Sequence, residues 1–149
     1  ISPMPDNDRF ALLVADIYQA AGELRRNGEK IAAEAGQTQA RWQVMSVASE
    51  GEWTVPDIAR RLGVARQGVQ RIADELADAG LAAFLDNPRH RRSPYLRLTP
   101  RGVEALARIT AAARRSHAKW KRHFTPADME TARRVLRQII AVLAKTSAA

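Results

Sequence analysis

Arg66, Gln67, Gln70 and Arg71 recur at the spacing of one helix face. Guanidinium and carboxamide groups placed this way can hydrogen-bond base edges and phosphates from inside a duplex major groove. Gly68 stands among them. It costs about 1 kcal/mol of helix propensity but removes a side chain where the backbone could come close to a polyanion. A second cluster follows: from Asn87 to Arg101 the chain carries Arg89, Arg91, Arg92, Arg97 and Arg101 with His90, and no carboxylate. A solvated basic loop is the simplest reading of such a run. A cluster of one sign repels itself, however, and an arginine-bearing tip that enters a minor groove beside a reading helix explains it better.

Other chemistries find little support. There is no cysteine, which excludes disulfides, thiolate metal sites and thiol redox sensing. His90, His117 and His123 lack metal-ligand spacing, and neither a nucleophile elbow nor a glycine-rich phosphate loop occurs. No enzyme, cofactor or metal is therefore expected. The net charge of +8, from 24 Lys and Arg against 16 Asp and Glu, favours a polyanionic partner. The basic stretch Arg114–His123 surrounds Trp120 and reads as a solvated face with one buried aromatic rather than as a second DNA contact. No apolar run approaches the length of a membrane span and the N-terminal residues lack a signal-peptide profile, so a cytoplasmic location without membrane contact is expected.

The elements that must position these groups are mostly helical, in keeping with an Ala-, Leu- and Arg-rich composition poor in aromatics. Leu13, Ile17, Ala20, Ala21 and Leu24 predict a long first helix from Arg9 to about Ala35, ended by Gly36. Thr38 can cap a second helix through Ser49, with Trp42, Val44 and Met45 as its apolar face. Thr54-Val55-Pro56-Asp57 carries a reciprocal cap and opens a short third helix that stops at Gly63. A fourth spans Ala65 to Ala79, with Val69, Ile72, Ala73 and Leu76 facing inward. Ala59, Gly63 and Val69 stand where two steeply crossed helices need a small residue, a turn and an apolar lock; Ile58, Leu62, Val64 and Ile72 supply further contacts. Leu81–Leu85 and Tyr95–Leu98 read as a two-stranded hairpin. Thr99-Pro100 opens a helix to about His123, and Thr125-Pro126 opens a last one ending near Lys145.

The run Thr54–Gly63, the segment Val69–Leu81 and above all Asn87-Pro-Arg-His-Arg-Arg-Ser-Pro-Tyr-Leu-Arg-Leu-Thr-Pro-Arg-Gly102 resemble the MarR family of regulators across nearly the whole chain. The resemblance implies a mainly α fold with a small β hairpin, a winged helix-turn-helix with N- and C-terminal dimerisation helices. It implies one domain over residues 1–149, with the DNA-binding region at about 38–102 and dimerisation helices at about 8–36 and 103–146. It also implies a homodimeric, ligand-responsive repressor on a pseudo-palindromic operator in double-stranded DNA. The DNA-binding residues carried over are Thr54, Arg66, Gln67, Gly68, Gln70, Arg71, Arg89, His90, Arg91 and Arg92. Tyr18, Arg41, Trp42 and Met45 would line a cavity for a small aromatic or phenolic ligand. One departure stands out: many members place an Asp just before the wing arginines, where this chain has Arg89 and His90, leaving Asp86 as the nearest substitute. The competing reading is a winged-helix interaction module or corepressor that does not touch DNA.

Overall fold

Helix starts fall where threonine supplies an oxygen for the free amides of a first turn. In the computed structural model, which describes residues 5–148, the Thr38 hydroxyl accepts from the Arg41 amide at 3.1 Å ahead of α2 (Gln39–Ala48). Thr54 does the same for α3 (Val55–Leu62), Thr99 for α5 (Pro100–Trp120) and Thr125 for α6 (Pro126–Ala148). Two helices lack such a cap: α1 (Asp6–Glu34) follows Pro5, with Asp6 and Asp8 on the positive end of its dipole, and α4 (Arg66–Asp78) follows Ala65.

The expected hairpin is present as β2 (Ala82–Leu85) and β3 (Tyr95–Leu98), paired antiparallel from Ala82 opposite Leu98 to Leu85 opposite Tyr95. A third strand, β1 (Trp53–Thr54), joins β3 on its other edge, giving the order β1-β3-β2. Two residues are too short to show an alternation of their own; their strand character comes from the neighbour. Helix α5 ends at Trp120 rather than His123, because Lys121–His123 tighten into a 3-10 turn. Helix α6 runs three residues past the expected Lys145.

Packing divides the chain into two units, one up to Ala113 and one from Arg114 onward. In the first unit one core gathers Met45, Ile58, Leu76, Leu96 and Ile109 from α2, α3, α4, β3 and α5, all essentially without solvent contact. Full burial of such side chains contributes about 1.5–3 kcal/mol each, enough to fix α4 and the hairpin to one frame. Most of α1 stays outside that core: only Gly28, Ile31 and Ala32 are buried, and Leu13 and Leu24 of the expected stripe are exposed. In the second unit α6 has no buried residue. Among the described residues no helix is long and apolar enough to cross a membrane.

Candidate nucleic-acid interface

The turn between α3 and α4 is closed by Gly63, at φ 67° in the left-handed region, and by the Val64 amide donating to the Ala59 carbonyl at 3.1 Å. Ala59 is buried beneath the crossing, and Val69, Ile72, Ala73 and Leu76 hold α4 against the core. Val64 departs from expectation. It sits in the turn, beyond the buried face of either helix, and is 50% exposed.

With that face of α4 buried, Arg66, Gln67, Gln70 and Arg71 point to solvent, and a Cβ added at Gly68 would meet open space. The Gln70 amide donates to Asp74 at 3.0 Å, and Arg71 donates to Glu75 at 2.7 Å. Glu75 also accepts from Arg41 of α2 through Nε and Nη2, at 3.4 and 3.3 Å. Solvent-exposed pairs one helical turn apart stabilise by only about 0.3–0.5 kcal/mol, so Gln70 and Arg71 are steered rather than locked and can exchange these partners for a phosphate or a base edge.

The wing tip is held by an asparagine that sequence reasoning did not single out. Asn87 is buried; its Nδ2 donates to the Ser93 carbonyl at 3.0 Å and its Oδ1 accepts from the Arg89 amide at 3.1 Å. Backbone bonds from His90 to Asn87 and from Ser93 to His90 complete two successive turns. Closure of the tip thus falls to Asn87 rather than Asp86, which is exposed and forms no ion pair among the described residues. An Asn followed by Pro at a strand end is a turn former, the one signal that could have found it. Arg89, His90, Arg91 and Arg92 are all exposed around this frame.

At the base of the wing, Thr99 joins three segments. Its hydroxyl donates to the Gly80 carbonyl at 2.6 Å and accepts from the Gly102 amide at 3.2 Å, and its amide donates to the Leu81 carbonyl at 3.0 Å. The end of α4, the start of β2 and the start of α5 are therefore tied at one point, which sets the wing relative to α4. Gly102 lies so close to Leu81 that an added Cβ would fall 1.9 Å from the Leu81 carbonyl oxygen.

These tethers bring the start of α3, the start of α4 and the wing to one surface. Pro56, Arg66, Gln70, Arg92, Ser93 and Pro94 line one cleft, and Asp57, Arg60, Arg66, Asn87 and His90 line its continuation. Arg89 instead faces a separate concavity beside Glu52, Asp86 and Arg97. Arg60, not singled out in the sequence, lines the cleft while paired with Asp57. Thr54 is buried at the cleft floor with its hydroxyl committed to Asp57, so it braces the site from within.

The Thr54–Asp57 cap is reciprocal: Asp57 Oδ2 accepts from the Thr54 hydroxyl at 2.8 Å and from its amide at 3.4 Å. The donated hydroxyl hydrogen bond, helped by the Thr54 amide and the Arg60 cation, holds the Asp57 carboxyl below its usual 3.8 against the opposing effect of burial. A depressed carboxylate stabilises the fold at every pH above its unfolded value, and that contribution disappears as pH falls through the lower folded value. Asp57→Asn is therefore expected to lower the melting temperature at pH 7, with the gap from the unaltered protein narrowing below about pH 4. A gap constant from pH 7 to pH 3 would show that the Asp57 charge plays no part in the cap.

The residues expected around a ligand are not gathered in the same way. Met45 is fully buried in the core and Trp42 packs against its edge, close to Gly28 of α1. Tyr18 is 76% exposed and lies ten residues before Gly28, about 15 Å along the helix. Arg41 is engaged by Glu75.

Comparison with known proteins gives a consistent picture. Residues 41–104 match the family model described as "Winged helix-turn helix". Uncharacterized proteins of Mycobacterium tuberculosis and Mycobacterium bovis are 48% identical over 137 residues, 92% of this chain and 96% of theirs. Among solved structures, a MarR family transcription regulator superposes with a TM-score of 0.76 at 26% identity, covering 94% of this chain and 95% of its own. A mutant MarR from E. coli complexed with operator DNA superposes with a TM-score of 0.75 at 17% identity, over 91% of this chain and 99% of its own.

Proposed function

We propose that this chain, a member of the MarR family of winged helix-turn-helix regulators, is a sequence-specific duplex DNA-binding regulator that works as a homodimer on a pseudo-palindromic operator. The observation that carries this is the shared cleft, where Arg66 and Gln70 of α4 stand beside His90 and Arg92 of the wing. In this reading Arg66, Gln67, Gln70 and Arg71 face a major groove, Gly68 lets the α4 backbone approach it, and Arg91 or Arg92 enters the adjoining minor groove. A repressor role follows if the operator overlaps a promoter.

Pairing of two copies is supported by what the single chain leaves uncovered. Leu136, Ile140, Val142 and Leu143 of α6, and Phe10, Leu12 and Leu24 of α1, are exposed large apolar side chains. A helix of 23 residues with such a stripe draws its stability from packing, and a second copy offers the same faces by symmetry. For a small aromatic or phenolic effector, Trp42 and Arg41 are the nearest candidates, with the carboxylate of an acid competing against Glu75 for Arg41. Met45 would back that site from the core, and Tyr18 would have to come from the second copy.

The test is selection from a pool of randomised duplexes with the purified protein. Enrichment of an inverted repeat with half-site centres about 10 base pairs apart is expected, because a twofold dimer presents two identical helices to one face of the duplex. Enrichment of no sequence would favour the protein-interaction module instead.

A further inference from the structure

The net positive charge of this protein is carried mostly by the last 36 residues of the sequence. Residues 114–149 contain nine Lys and Arg against Asp128 and Glu130, a surplus of seven within the chain total of +8. Residues 1–113 contain fifteen Lys and Arg against fourteen Asp and Glu and are nearly neutral. All nine cations of the second unit are exposed. Lys119, Lys121, Arg122, Arg133, Arg134 and Arg137 form no ion pair among the described residues.

These cations are also sorted by face. At 100° per residue, Arg133, Arg134 and Arg137 of α6 fall within an arc of about 100°, and with Met129 and Glu130 they flank a shallow groove. Val135, Leu136, Ile139, Ile140, Val142 and Leu143 occupy the opposite arc of about 160°. At the end of α5, Arg114, Arg115 and Lys119 share an arc of about 140° that excludes Trp120. Trp120 is 38% exposed rather than buried as the sequence suggested, because among the described residues its ring meets only the rings of His117 and Phe124, edge-on, at centroid distances of 5.3 and 6.2 Å. Covering the apolar face of α6 with a second copy therefore leaves its cationic face in solvent, and pairing would bring two such surplus charges into one assembly, a repulsion that a polyanion relieves.

We infer, on the DNA-binding reading above and against the reading of Arg114–His123 as a merely solvated face, that residues 114–148 add to the winged reading head a second, sequence-independent surface for the phosphates of duplex DNA. Six of its nine cations are arginines, whose planar fork suits phosphate oxygens. A duplex presents a charge about every 1.7 Å, a continuous array that spread cations can follow without reading a base. A protein held on DNA by its wing meets other duplex segments at high effective concentration, which favours DNA over an acidic protein or an anionic lipid surface as the occupant.

The experiment uses the whole chain saturated with an unlabelled operator duplex, to which a labelled 30-base-pair duplex of unrelated sequence is added. The unaltered protein is expected to capture the second duplex, with capture falling steeply as salt rises. The variant K119Q/K121Q/R122Q/R133Q/R134Q/R137Q is expected to lose that capture by tenfold or more while keeping its melting temperature and its operator affinity. The wing variant R91A/R92A is expected to retain binding of unrelated duplex while losing operator preference, so failure of the winged reading and failure of this one give different results. No capture by the unaltered protein, equal capture by the glutamine variant, loss of operator preference in that variant, or stronger capture of phosphatidylserine vesicles than of duplex would each overturn the inference.

Discussion

Replacing Arg91 and Arg92 together by Ala is expected to weaken operator binding by about a hundredfold, with the fold and the oligomeric state unchanged. Both residues are exposed on a tip whose shape is set by Asn87, Ser93 and backbone bonds rather than by the arginines. Their removal leaves no cavity and breaks no ion pair among the described residues. An arginine bonded to DNA is worth about 1–3 kcal/mol, so removing two costs about 2–6 kcal/mol, and a hundredfold, about 2.7 kcal/mol, stands near the low end of that range. With fewer phosphates neutralised, fewer counterions leave the duplex on binding, so the slope of log affinity against log salt should become shallower by up to about two per protomer, about four for the dimer. Unchanged affinity and slope in fluorescence anisotropy, with the variant still folded, would point to the interaction-module reading.

Changing Gly102 to Ala is expected to destabilise the winged unit severely. The added Cβ would lie 1.9 Å from the Leu81 oxygen and 2.9 Å from its carbonyl carbon, with Leu98 Cβ at 3.3 Å behind them. The Leu81 carbonyl cannot move aside cheaply, because it accepts from the Thr99 amide and β2 begins at the next residue. Overpacking ordinarily costs about 1–3 kcal/mol, and a clash with backbone belongs at or above the upper end. Against a total stability of about 5–15 kcal/mol, this should appear as a large drop in melting temperature. The matched control is Gly68→Ala, where a Cβ meets open space and helix propensity favours Ala by about 1 kcal/mol; that variant should be no less stable than the original. A Gly102→Ala protein melting with the original would show that the wing base is not tied as described.

What the sequence disclosed and what it hid divide along physical lines. Caps at Thr38, Thr54, Thr99 and Thr125 were legible because the hydroxyl and the amide it satisfies lie within one turn of each other. The buried face of α4 was legible because Val69, Ile72, Ala73 and Leu76 repeat at helical period. Strand β1 was not, since its two residues become a strand only by pairing with Leu96 and Tyr95, some forty residues away. Val64 carried an apolar side chain into a turn that composition cannot tell from a helix face.

The candidate site was read unevenly for the same reason. Exposed cations at the wing and on α4 are visible as residue types. Their convergence with Pro56 and Arg60 of α3 depends on the long-range tie through Thr99 and Gly102. The pairing of Arg41 with Glu75, 34 residues apart, was equally out of reach. The Leu-Thr-Pro-Arg-Gly motif was recognised by likeness, and the structure supplies its physical reason: it is the joint that fixes wing to helix.

Two identical reading heads gripping one duplex leave a specific trace on DNA. Hydroxyl-radical footprinting of the enriched duplex with the purified protein should show two dyad-related protected regions centred about 10 base pairs apart, each flanked by protection in the adjoining minor groove that R91A/R92A abolishes. A single asymmetric region, or no protection at concentrations where the protein is folded and paired, would contradict the proposal that the cleft between α4 and the wing is built to read DNA.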